Sequence, residues 1–184
     1  MRGIGRQSVL KSYRQSGINI VGQNLKDIKK VSEAVLFLNK DTIWNKKIKN
    51  LKQIVIHSKN SYDNELFYKG RIWVCQLGTV REASVVYLAS LIIHEIFHIL
   101  QEKRGMDNKN SRMEPAAYKA QINFLKKYGT KRDVLWVSKL LKEKHWVEQI
   151  DMSRKGKGKV YVSPFFKYLK TIKTSKIKLV NMLG

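Results

Sequence analysis

The sequence predicts an α+β fold: short strands first, longer helices after, and basic extensions at both ends. Three observations carry this. The segments 51–57 and 70–75 are short, rich in β-branched and aromatic residues, and bounded by polar or glycine-containing stretches, as strands are. Apolar residues at 25–39, 113–128 and 133–150 recur near the helical period. Between them, residues 84–103 are apolar on nearly every face, which suits a helix enclosed by other elements.

In chain order, residues 1–24 hold scattered glycines (Gly3, Gly5, Gly17, Gly22) and basic residues without clear periodicity. They are expected to form a loosely ordered basic arm, with room for one short helix near 6–15. Residues 25–39 place Leu25, Ile28, Val31, Val35, Leu36 and Leu38 on a helical repeat, and Asp41 and Thr42 then offer a cap or turn. Leu51–His57 reads as a strand, 58–65 as a Ser/Asn/Asp loop, Leu66–Lys69 as a short strand and Gly70–Cys75 as a longer one. Thr79 with Glu82 three residues later resembles a capping box opening the apolar helix, which should stop near Gly105 behind Lys103 and Arg104. After a polar loop at 106–112, a helix over 113–128 tolerates Pro115 in its first turn and ends at Gly129. Asp133–Ile150 repeats the amphipathic pattern, and Ser153–Lys159 is a basic glycine linker to a lysine-rich end. The expected organisation is an N-terminal arm over 1–24, one domain over 25–150 and a basic extension over 151–184, with no internal repeat.

The charge balance is unusual: 37 Lys+Arg against 14 Asp+Glu leave a net +23. Such a field favours acidic proteins, polyanions or anionic membrane surfaces as partners, although a basic solubilising surface explains it equally well. The chain shows no recognised nucleic-acid module. Its single cysteine, Cys75, excludes an intrachain disulfide and a cysteine zinc site, and suits a reducing, cytoplasmic setting. The best membrane-span candidate, Val85–Leu100, is broken by His94, Glu95 and His98, so no transmembrane segment is expected. The N-terminus lacks a signal-peptide core. Its acid-free, Arg- and Ser-rich start faintly resembles a transit peptide, and a flexible arm or an old domain junction accounts for it as well.

The chemistry concentrates in His94-Glu95-Ile96-Phe97-His98. On one helix His94 and His98 leave the same face a turn apart, the spacing at which two neutral imidazoles reach one zinc ion. Glu95 is rotated about 100° from His94, beside such a metal rather than on it, where a carboxylate acts as general base. Paired histidines in an apolar helix also occur as ordinary core residues. Against that, two of only four histidines fall in this pattern. In a buried helix these polar groups need partners, because each one left unpaired costs about 1–3 kcal/mol. A third ligand is required, and His57, His145 and Glu114 are the candidates. Glu114 is favoured, because a helix returning after the 106–112 loop would carry it back across the first helix. On that second helix Glu114, Ala117, Tyr118, Gln121 and Leu125 share a face. Ala117 would permit close approach, and Tyr118 would reach a histidine ligand or a substrate oxyanion. An acidic residue in a first helical turn also has a plain explanation in the helix dipole.

His94-Glu95-Ile96-Phe97-His98 followed by Glu114-Pro115-Ala116-Ala117-Tyr118 resembles the gluzincin zinc metallopeptidases, particularly small single-domain forms called minigluzincins. The resemblance covers about residues 66–129. It implies a zincin-like α+β fold, a small twisted sheet followed by an active-site helix and a glutamate helix. It also implies one zinc per chain held by His94, His98 and Glu114, and peptide-bond hydrolysis with Glu95 as base. The strand before the active-site helix, matched here by Gly70–Cys75, would form the cleft rim and pair with an extended peptide. Larger gluzincins orient a ligand histidine with an acidic residue one turn past the glutamate; here Tyr118 stands there. Tyr118 or His145 would polarise the scissile carbonyl. Two other readings remain open: a basic binding module with a structural or vestigial zinc site, and a toxin-like protease effector whose basic ends aid delivery.

Overall fold

The computed structural model describes residues 10–57, 65–67, 70–106 and 113–144. Strands β1 (Lys11–Gln15) and β2 (Ile18–Gly22) form an antiparallel hairpin. Its two-residue turn is Ser16-Gly17, with φ of 51° and 82°. Two successive left-handed residues make the turn whose twist matches that of paired strands. Ile18 and Ile20 are wholly buried. From Lys11 onward, therefore, the stretch expected to be a loose arm is built into the sheet, and no helix occupies residues 10–15. The basic residues Lys11 and Arg14 lie on β1, an edge strand, where charge discourages unwanted pairing.

Helix α1 (Leu25–Lys40) starts at Asn24, whose side chain accepts from Lys26 N at 2.8 Å. Its buried stripe is Ile28, Val31, Ala34, Val35 and Leu38. A short helix α2 (Trp44–Lys47) and a 3₁₀ turn (Ile48–Asn50) lead to β3 (Gln53–His57), β4 (Glu65–Phe67) and β5 (Ile72–Gln76). The five-stranded mixed sheet has the order β1-β2-β3-β5-β4, with β2, β3 and β5 parallel and antiparallel strands at both edges. Ile20, Ile54 and Trp73 are in register across the three central strands, and Ile56 pairs with Cys75. All five side chains enter one core with α1. The expectation of a free rim at Gly70–Cys75 fails, because β5 is paired on one side by β3 and on the other by β4.

Helix α3 (Leu77–Glu82) is a separate short helix, and α4 (Val85–Glu102) follows it. Thr79 and Glu82 therefore do not open the long helix as expected. Ser84 does, accepting from Tyr87 N at 3.0 Å. Extended backbone at Ala83 and Ser84 breaks the two helices apart. Leu88, Ala89, Ile92, Ile93, Ile96 and Ile99 of α4 are all buried. By length and composition α4 is apolar enough to cross a membrane. In this fold that character is explained by enclosure, since α4 packs against α1 on one side and α5 (Glu114–Tyr128) on another. Helix α6 (Lys131–Glu143) opens at Thr130 with a reciprocal capping box to Asp133, before the expected start. It closes at Lys144, which has φ of 50°. Residues 145–150 and the extension 151–184 lie outside the described residues.

Candidate metal centre

Along α4 one polar stripe interrupts the apolar surface: Ser90, His94, His98 and Gln101, spaced by four, four and three residues and all buried. Helix α5 crosses this stripe antiparallel. At one end Gln121 Nε2 donates to Ser90 Oγ at 3.1 Å, and Ser90 Oγ donates in turn to Tyr87 O at 2.7 Å. At the other end Gln101 Nε2 donates to Met113 O at 3.0 Å. Ala117, with no exposed surface, sits between these clamps and lets the helices close.

Between the clamps three ligand groups converge. His94 Nε2 lies 3.2 Å from Glu114 Oε2, His98 Nε2 lies 3.3 Å from Glu114 Oε1, and the two Nε2 atoms are 3.0 Å apart. Their ligand atoms all fall within 4.8 Å of one another, a grouping able to hold a metal ion. The two imidazoles arise from the i, i+4 spacing, and Glu114 arrives as the first residue of α5. Burial opposes the Glu114 charge, but hydrogen bonds and charge from His94 and His98 outweigh it and hold the carboxyl well below the usual carboxylate range. Burial would lower His98, yet the hydrogen bond it donates to Glu114 and the charges of Glu95 and Glu114 raise it above an ordinary histidine. His98 Nδ1 meets Gln101 Oε1 at 3.2 Å, whereas His94 Nδ1 is buried without a hydrogen-bond partner among the described residues.

Glu95 faces this cluster without joining it. Burial pushes its carboxyl up; His94 and His98 pull it down and Glu114 pushes it up again, leaving it above the usual range. A carboxyl so placed exchanges protons closer to neutrality than an exposed one. Tyr118 stacks edge-on against His94, with ring centroids 4.6 Å apart. Burial, together with the charges of Glu114 and Glu95, drives its phenol upward, so it stays protonated.

Of the sequence-derived candidates, His94, His98 and Glu114 come together, with Glu95 and Tyr118 beside them. His57, at the end of β3, lines a small pocket with Gln23, Asn24, Asp27 and Arg81 and is not one of the three converging ligands. It is thus not the third ligand, because the end of β3 carries it into a different pocket. His145 lies outside the described residues. Sequence reading missed the roles of Ser90 and Gln101 and the partner of Gln121. Their signal was present in the periodicity, since Ser90 and Gln101 extend the His94–His98 stripe on an otherwise apolar helix. No protein-family model, curated protein or solved structure matches this chain.

Proposed function

We propose that this chain is a zinc-dependent peptidase of the gluzincin type, its sheet, α4 and α5 forming a zincin-like core. The observation that carries the reading is the convergence of His94, His98 and Glu114 from two crossing helices, with Glu95 alongside. Two imidazole nitrogens and one carboxylate are the donor set of many catalytic zinc sites, and three ligands leave the fourth tetrahedral position open. Bound there, zinc would supply Lewis acidity, activating a water and polarising a substrate carbonyl.

The chain's own residues account for the remaining chemistry. Glu95 takes a proton from the attacking water as the carbon–oxygen bond forms, and returns it to the amine nitrogen as the carbon–nitrogen bond breaks. Tyr118, held protonated beside His94, is a hydrogen-bond donor suited to the developing oxyanion. In this reading the extended peptide pairs with β4, the edge strand next to β5, rather than with β5 itself. The net charge of +23 favours acidic substrates.

Elemental analysis of the native protein and of Glu114→Ala tests the proposal. About one zinc per native chain is expected, falling sharply in the variant. A folded native protein that neither carries zinc nor takes it up would overturn the reading.

A further inference from the structure

We propose that Gln101 is a positioning residue that fixes the tautomer of His98 and the start of the glutamate helix, and so sets how tightly the cluster holds a metal. The inference rests on the metal-centre reading above. It begins from a carbonyl. Met113 O can only accept, so the Gln101 atom 3.0 Å from it is the amide nitrogen. That orientation turns Oε1 toward His98 Nδ1 at 3.2 Å. An amide oxygen also can only accept, so this contact calls for a hydrogen on Nδ1. Glu114 Oε1, 3.3 Å from Nε2, accepts as well, so a neutral ring has one hydrogen for two acceptors, and the shorter contact to Gln101 favours the tautomer that leaves the lone pair on Nε2. This is the nitrogen that lies 3.0 Å from His94 Nε2 and 3.3 Å from Glu114 Oε1. With Gln101 only 4% exposed, bulk water does not compete for either bond.

The same side chain acts on a second ligand through the backbone. Met113 directly precedes Glu114 and provides no side-chain cap to α5. Its carbonyl accepts from Ala117 N at 3.4 Å, a longer contact than the one from Gln101. Gln101 therefore ties the ring of one ligand and the peptide bond beside another into one unit spanning two helices. Outer partners of metal-bound histidines typically change metal affinity about 10–100-fold when removed. Among the described residues His94 has no such partner at its buried Nδ1, which leaves Gln101 as the one that orients a ring of the pair.

Two variants separate this from a general packing role. Gln101→Leu removes both polar functions at similar volume. Gln101→Glu keeps an acceptor for Nδ1–H. Nitrogen-15 NMR of the metal-free protein, at an alkaline pH where the ring is neutral, reads the His98 tautomer. Competition with a chromophoric chelator reads the zinc dissociation constant. The wild type should show Nδ1–H. Gln101→Leu should shift toward Nε2–H and bind zinc about 10–100-fold more weakly. Gln101→Glu should keep Nδ1–H and recover part of the lost affinity, since it restores the bond to His98 but not the one to Met113 O. Gln101→Met, which lacks the amide but keeps an unbranched chain, replaces the leucine variant if that one does not fold. An unchanged tautomer or undiminished zinc affinity in the apolar variant would overturn the proposal, as would a glutamate variant as weak as the leucine one. A wild type that shows Nδ1–H yet takes up no zinc would instead overturn the metal reading and the affinity half of this proposal. The two failures are distinguishable because the tautomer is read without metal.

Discussion

Asp41 is the sharpest test of how the glutamate helix is anchored. Its side chain is 3% exposed, and its two oxygens collect four partners. Oδ1 accepts from Ile43 N at 2.8 Å and Trp44 N at 3.0 Å, Oδ2 accepts from Tyr128 Oη at 2.7 Å, and Lys127 Nζ lies 3.6 Å away. Tyr128 is the last residue of α5 and Glu114 the first, so this carboxylate pins the far end of the helix that bears Glu114. Replacing Asp41 by Ala removes a capping interaction, typically about 1 kcal/mol. It also strands a hydroxyl and a buried amide, about 1–3 kcal/mol more. A total near 3 kcal/mol lowers the melting temperature by roughly 6–12 °C for a chain of this size. Thermal and urea unfolding of the metal-free protein measure it, and a cycle with Tyr128→Phe should show coupling of about 1 kcal/mol.

The pH dependence follows from the same contacts. Burial pushes the Asp41 carboxyl up, but the bonds from Tyr128, Ile43 and Trp44 and the charge of Lys127 outweigh it, leaving the pKa below 3.8. Because the folded value is the lower one, the stabilisation is fully present above the unfolded pKa and is lost as pH falls through the folded one. The stability gap between wild type and Asp41→Asn should stay constant from neutrality down to about pH 4 and narrow below it. A loss under about 1 kcal/mol for Asp41→Ala, additivity with Tyr128→Phe, or a gap that persists at strongly acid pH would refute the reasoning.

Four further outcomes are expected. Gly17→Ala meets no atom within 4 Å of its new Cβ, yet should lose about 1 kcal/mol in urea unfolding because φ at that position is 82°. Ile92→Ala, at a wholly buried α4 position, should lose about 2–5 kcal/mol by the same assay. Glu95→Gln should retain zinc by elemental analysis and lose peptide hydrolysis. Tyr118→Phe should lower kcat about 10²–10³-fold with little change in KM, if its phenol meets the oxyanion; steady-state kinetics decide it.

The helical half of the fold was legible because its signals are local. Leu25–Leu38, the apolar run around His94 and the Pro115-to-Gly129 segment each carry a 3.6-residue period, and α1, α4 and α5 fall on them. The convergence of His94, His98 and Glu114 was legible for the same reason, since i, i+4 spacing fixes the two imidazoles and a return helix carries Glu114. The hairpin at 11–22 was not. Its signal is the Ser16-Gly17 pair followed by Ile18-x-Ile20, a short alternation diluted by basic residues on an edge strand. The rank of β5 inside the sheet was also hidden, because strand order depends on non-local pairing with β3 and β4. The helix start was misread because Thr79 and Glu82 do carry capping-box spacing, but they fall within a short helix that ends before Ser84.

The antiparallel crossing of α4 and α5 has a further consequence for when the centre exists at all. The surface that shelters one flank of α4 is the same surface that delivers Glu114, closes the Gln101 bond and engages Ser90. Docking α5 therefore completes the hydrophobic seal and assembles the ligand cluster in a single event. Conversely, any excursion that lifts α5 dismantles all of these contacts together. A ligand that bound only the assembled cluster would hold that seam shut, slowing amide hydrogen exchange in α4 and α5 together while leaving the β1–β2 hairpin unaffected.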